Sequence, residues 1–247
     1  MSLESNEGAI AALTRGAATS VSVMMPCPWV PAFVRWLKAH PGIDAGLHLT
    51  LTSEWNDYRW GPVSGSAAVP GLVDSTGNLW PGVPQVVTHA TPDEVGAEIA
   101  AQLNRARRMG FQPTHLDTHM GTVYATPKFL QKYIGLGIAN HIPVMLPGGV
   151  DKLIQQETGF SDAAVAQIRV LGATLWKSGL PVLDDLHNFS YDWKVPDSLS
   201  TTEPSPASDK RLGNWRTAKY IEALNTLQPG VTMMIMHCSN AGAHFAQ

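Results

Sequence analysis

The chain has 247 residues, of which 44% are hydrophobic and 15% charged, and its 17 Lys and Arg against 20 Asp and Glu leave a formal charge of −3 with histidine neutral. That length buries a substantial core, and one α/β barrel of about 250 residues accommodates residues 1–247 as a single domain. The low charge density and the lack of a basic block exclude a polyanion-binding footprint, and with it nucleic acid as a partner.

Short apolar runs alternate with amphipathic stretches, the pattern of βα units around a parallel sheet. Asn6 to Arg15 predicts the first helix, ended by Gly16, and Thr19 to Met24 the first strand. Trp29 to Ala39 predicts a helix with Val30, Phe33, Val34 and Leu37 on one stripe and Pro41-Gly42 as its stop. Asp44 to Leu51 is a strand. From residue 52 to about 90, Gly, Pro, Ser and Trp dominate without a period, which marks a long irregular loop. Its Trp55, Trp60 and Trp80 either stack on a sugar face or pin the loop to the body of the fold.

Thr91-Pro92-Asp93-Glu94 is a helix start, with Thr91 as cap and Glu94 reaching back to the cap amide; the helix runs to about Arg108. Thr114 to His119 predicts a strand, Thr126-Pro127 another helix start, and Ile142 to Leu146 a further strand. A helix over Ser161 to Lys177 precedes an apolar run, Leu180 to Leu183. Ser200 to Ser208 reads as loop, followed by a helix from about Asn214 to Leu227 and a last strand, Val231 to Met236.

Val21 to Val34, the longest apolar stretch, is interrupted by Ser22, Pro26, Pro28 and Pro31 and cannot make the ~20-residue span a membrane requires. The opening residues carry neither the basic region nor the apolar run of a secretory leader, so the default location is cytoplasmic. Cys27 and Cys238 lie too far apart for a zinc ribbon and are expected as buried thiols.

The positions of the histidines carry the functional reading. In Gly46-Leu47-His48-Leu49-Thr50-Leu51 the leucines share one face of a strand and His48 and Thr50 the other. In Thr114-His115-Leu116-Asp117-Thr118-His119 the spacing i, i+2, i+4 presents His115, Asp117 and His119 from one face. His237 follows the last strand directly, at the end where parallel barrels concentrate their chemistry. A carboxylate beside two imidazoles can hold a divalent metal and leave positions open for water and substrate. His48 by itself also fits a core histidine bonded to a carbonyl, but the alternation in the second segment favours a metal or catalytic cluster over a buried polar network. His40, His89, His141 and His244 read as solvated, and Asp184-Asp185, ahead of His187, as turn chemistry more than a contribution to the pocket.

These segments together resemble the YdjC-like carbohydrate deacetylases, which include chitooligosaccharide deacetylase. Asn6-Glu7-Gly8 to Gly16 with Thr19 to Met24 is similar to the family's first helix and second strand. The segment around His48 is similar to its Gly-x-His-Leu-x-Leu motif, the segment around Asp117 to its Thr-His-x-Asp-Ser-His motif, and Met236-His237 stands where the family has a histidine after a late strand.

The resemblance implies a distorted (β/α) TIM-like barrel and hydrolysis of an N-acetyl group from an amino sugar or chitooligosaccharide, giving acetate and a free amine. It implies that His48 and His119 bind a divalent metal, zinc or magnesium, that His115 and Asp117 orient ligands or water, and that His237 is the proton donor. The family's Asp-Asp pair at the end of its first strand has no counterpart in Met1-Ser2-Leu3-Glu4. The first strand and the C-terminal elements are therefore expected to be missing, which leaves Asp117 as the carboxylate at hand to act as base. Met120-Gly121-Thr122 stands where many members carry further histidines. The expected partners are a small-molecule or oligosaccharide substrate and a second copy of the chain in a homodimer, with no membrane. Two alternatives stand beside this reading: a barrel that binds carbohydrate without turning it over, and another metal-dependent amide hydrolase.

Overall fold

The computed structural model describes residues 2–200 and 205–240. His244, and residues 201–204 of the Ser/Thr/Pro-rich segment, lie outside them. The described residues fall into two units: 2–145, 174–182 and 237–240 in the first, and 146–173 with 183–236 in the second.

In the first unit, α1 (Leu3–Thr14) begins ahead of its apolar pattern because the Ser2 hydroxyl accepts the Ser5 amide at 3.2 Å. β1 (Ser20–Val23), α2 (Val30–Ala39) and β2 (Asp44–Leu49) follow, and the expected stripe of Val30, Phe33, Val34 and Leu37 is the buried face of α2. The next segment is less irregular than its composition indicates: it holds a 3₁₀ turn at Pro70–Leu72, a bridge between Val73 and Leu79, and α3 (Val83–His89). Trp60 and Trp80 tie the segment to itself, their indole N–H groups donating to the carbonyls of Thr52 and Gly71 within it, each at 2.9 Å. α4 (Pro92–Arg108) starts on the expected capping box: the Thr91 hydroxyl accepts the Glu94 amide at 3.2 Å, and the Glu94 carboxylate accepts the Thr91 amide at 2.7 Å.

β3 (Leu116–Thr118) is shorter than Thr114 to His119. α5 (Pro127–Asn140) follows it, capped by Thr126 and closed by His141 in the left-handed region. The three strands pair in parallel in the order β1-β2-β3, with Ser22 opposite Gly46 and His48 opposite Asp117. Leu47, Leu49, Leu51, Leu116, Ile99 and Leu103 are buried, each side chain contributing about 1.5–3 kcal/mol. Cys27 is buried as expected, and burial pushes its thiol up to about 12; Cys238 is half-buried.

Ile142 to Leu146 makes only an isolated parallel bridge, Val144 to Leu116, rather than a strand. Pro143 lacks an N–H and can only accept, from Leu116 at 2.8 Å, so the ladder does not extend.

The second unit contains α6 (Lys152–Thr158), α7 (Asp162–Lys177) as far as Ala173, β4 (Asp185–His187), α8 (Pro206–Leu224) and β5 (Thr232–Met234). α8 starts well before Asn214 because Ser205 and Ser208 form a capping box ahead of Pro206. β4 and β5 pair in parallel, Asp185 opposite Thr232, whereas the expected strand Leu180 to Leu183 reduces to one bridge between Leu183 and Pro147. Asp185 accepts the Leu153 and Ile154 amides at 2.8 and 3.1 Å, and Asp184 the Val231 amide at 2.7 Å. This pair ties backbone, as its reading as turn chemistry implied.

The architecture is α/β with parallel sheets and about half helical. Among the described residues the strands make one three-stranded and one two-stranded sheet, so the observed pairings do not close the TIM-like ring. No described helix is long and apolar enough to cross a membrane.

Candidate functional site

Parallel pairing of β2 with β3 makes His48 and Asp117 register partners on one face, and the His48 Nδ1–H donates to Asp117 Oδ1 at 2.7 Å. Asp117 is only 3% exposed. Burial alone would raise its pKa, but His48 beside it, with help from Ser22 and His115, outweighs burial and holds the carboxyl below its ordinary value. With its Nδ1 engaged, His48 keeps Nε2 for a ligand.

His119 does not continue the strand. β3 ends at Thr118, and His119 opens a 3₁₀ turn in which Met120 (φ 52°) and Gly121 (φ 66°) are left-handed and swing the chain away. The turn leaves the His119 ring edge-on to the His48 ring, with centroids 5.3 Å apart. Burial is the main cause that lowers the His119 pKa; His48 lowers it further, and Glu54 opposes.

His115 takes a separate position. Its ring lies over Gly46, where a Cβ would stand 2.3 Å from ring atoms, and its Nε2 is 3.1 Å from the Ser22 hydroxyl. His115 therefore bonds towards β1 and stands outside the His48–His119 pair.

Glu54 joins the site from outside both histidine-bearing segments. Its Oε2 accepts from His119 Nε2 at 2.9 Å, and although burial raises its pKa, the His119 contacts win and the net shift is downward. Only its place could have signalled it: Glu54 sits in the first loop beyond the carboxyl end of a histidine-bearing parallel strand.

His237 belongs to the first unit. His237 is exposed as a residue; its pKa is lowered first by partial desolvation of the ring, then by the like charges of His48 and His119, with Asp117 opposing.

Among the described residues no three His, Cys, Asp or Glu side chains are spaced to hold a metal ion. The donor chemistry of the pair nonetheless fits one: two imidazoles side by side, each bonded to a carboxylate that fixes one ring nitrogen.

This fold and these two imidazole–carboxylate pairs define a parallel α/β protein with its polar centre at the carboxyl ends of the first sheet. The family model described as YdjC-like protein matches residues 1–246, and the chain belongs to that family. It is 32% identical over 142 residues to a carbohydrate deacetylase of Brevibacillus brevis, covering 58% of this chain and 53% of that protein. It is also 32% identical over 132 residues to a carbohydrate deacetylase of Thermus thermophilus, covering 53% and 46%. Over 118 residues it is 30% identical to a chitooligosaccharide deacetylase of Yersinia enterocolitica, covering 46% and 43%. The matches span about half the length of these curated relatives. A solved structure from Enterococcus faecalis V583, described as a cellobiose-phosphate cleavage protein, superposes with a TM-score of 0.71 at 19% identity over 98% of this chain and 78% of that one, a likeness of fold.

Proposed function

We propose that the chain carries the centre of a metal-dependent hydrolase that removes the N-acetyl group from an amino sugar or chitooligosaccharide. The observation that supports this most is the juxtaposition of the His48 and His119 rings, 5.3 Å apart, with Asp117 bonded to Nδ1 of His48. The names of the curated relatives supply the substrate class.

In this reading His48 and His119 hold a zinc or magnesium ion, and imidazole donors favour zinc. Bound there, the ion would supply Lewis acidity to the acetamide carbonyl and a water that ionises near neutral pH. Asp117 keeps the His48 proton on Nδ1 and so acts on the reaction through that ring. When water adds and the C–N bond breaks, the proton that the water gives up passes through His237 to the leaving amine.

The test is acetate release from N-acetylglucosamine oligomers after chelation and after restoring zinc or magnesium. Release restored by metal in the parent, and lost in His48→Ala and His119→Ala, supports the assignment. Unchanged metal content and deacetylation in both variants overturns it. Carbohydrate binding without turnover is a second reading, favoured by the lack of three converging ligands among the described residues. Calorimetric binding of chitooligosaccharide with no acetate released at any metal concentration would select it.

A further inference from the structure

Glu54 stands in the loop after β2, yet its neighbours are fixed in place. The Ser53 amide donates to the Trp80 carbonyl at 2.8 Å, and the Ser53 hydroxyl accepts from the Trp60 amide at 3.0 Å and from Arg59 Nε at 3.3 Å. Arg59 is itself held by Asp74 at 2.8 Å and by the Leu79 carbonyl at 2.7 Å. On the preceding side the Thr52 carbonyl takes the Trp60 indole, and the Thr52 hydroxyl donates to Met120 Sδ at 3.4 Å, which joins this loop to the turn that carries His119. The backbone on either side of Glu54 is thus held by contacts that do not involve its side chain.

From that backbone the Glu54 carboxylate reaches His119 Nε2 at 2.9 Å. An ionised carboxylate only accepts, so Nε2 carries the proton and the lone pair of the neutral ring falls on Nδ1. Asp117 does the same to His48 through the opposite nitrogen, fixing Nδ1–H and leaving Nε2. Two adjacent imidazoles are therefore each locked in one tautomer, by carboxylates from two different elements.

We propose that Glu54 is the positioning residue of His119: by accepting the Nε2 proton it sets the ring's tautomer and presents Nδ1 as its donor atom. The tautomer stands on the hydrogen bond alone; its use for metal binding rests on the reading given under Proposed function. Nothing in the sequence pairs these two residues, which lie 65 positions apart.

The experiment compares the full chain with Glu54→Gln and Glu54→Ala. Histidine ¹⁵N spectra of the metal-free proteins report the tautomer, and zinc calorimetry reports the affinity. The expected result is a Nε2–H His119 in the parent and loss of that single tautomer in Glu54→Ala, with zinc binding weakened about tenfold to a hundredfold. Glu54→Gln, which keeps a neutral acceptor of the same length, should fall between the two and guards against a variant that misfolds. A His119 signal that stays Nε2–H in Glu54→Ala, or a Nδ1–H signal in the parent, overturns the proposal. Zinc binding equal in parent and Glu54→Ala overturns its metal-directed half. A parent that binds no zinc but whose tautomer depends on Glu54 overturns the metal reading and supports the positioning role.

Discussion

His48 and Asp117 occupy opposite places in the β2–β3 register, and their side chains meet at 2.7 Å on the same face of the sheet. The strands thereby fix an imidazole–carboxylate pair that two loops would hold less rigidly. Asp117→Asn preserves the volume but removes the charge that holds the His48 Nδ1 proton. On the proposed function, zinc affinity falls about tenfold to a hundredfold and the proposed deacetylation falls with it. Calorimetry of metal-free protein measures this directly, and an unchanged Kd would remove Asp117 from the orienting role.

Gly46 makes room for His115. A Cβ there would stand 2.3 Å from the ring, and the ring is held by Ser22 on one side and the Thr114 hydroxyl, 3.0 Å away, on the other. Gly46→Ala should destabilise the chain by about 1 to 3 kcal/mol in urea unfolding, as overpacking does. Removing the obstruction with His115→Ala should recover part of that loss, so the double variant is more stable than the sum of the single effects requires. Strict additivity would show that the ring does not confine the glycine.

Local signals were legible where one short segment contains both partners. The Thr91–Glu94 box, the Thr126-Pro127 start of α5 and the apolar stripe of α2 all appear where periodicity and capping chemistry place them. The strands near Ile142 and Leu180 were not, because a run of apolar residues says nothing about whether a neighbour offers a ladder, and Pro143 withholds a donor. The same division holds in the site. The alternation at His48 and at Asp117 showed which residues face one way, and register then brought them together. Glu54 reaches His119 across a loop without period, through contacts of Ser53, Arg59 and Trp60 that only the folded chain creates.

Glu98 is fully buried on α4 and serves as an anchor for the loop after β2. One carboxylate oxygen accepts from the Val63 amide at 2.9 Å and from Gln102 Nε2 at 2.8 Å; the other accepts from the Ser64 amide at 2.9 Å and from the Ser64 hydroxyl at 2.5 Å. Gln102 in turn clasps both backbone groups of Thr50, two residues beyond His48. Glu98→Ala would leave the buried Gln102 amide and the half-buried Val63 and Ser64 donors without this partner, and we expect a loss of about 3 kcal/mol in urea unfolding. A loss under about 0.5 kcal/mol, the scale of an ordinary surface change, would mean the loop is held by other contacts.

Glu94 makes stability depend on pH. Burial acts to raise its pKa, but the amides of Thr91 and Gly71 and the Thr91 hydroxyl more than offset this, and the net shift is below the ordinary glutamate value. A carboxyl whose folded pKa is depressed binds its proton more readily in the unfolded chain. Its contribution is therefore complete at pH values above the unfolded pKa of about 4.3 and is lost as pH falls through the lower, folded value. At pH 7 the cap is intact, with the negative charge also favoured at the helix N-terminus. Glu94→Ala should cost about 1 kcal/mol there, the usual worth of such a cap. Urea unfolding of parent and variant at pH 7 and pH 3 should show that gap narrowing in acid, because the parent alone loses the ionised carboxylate. An equal gap at both pH values would mean that the amides gain nothing from its charge.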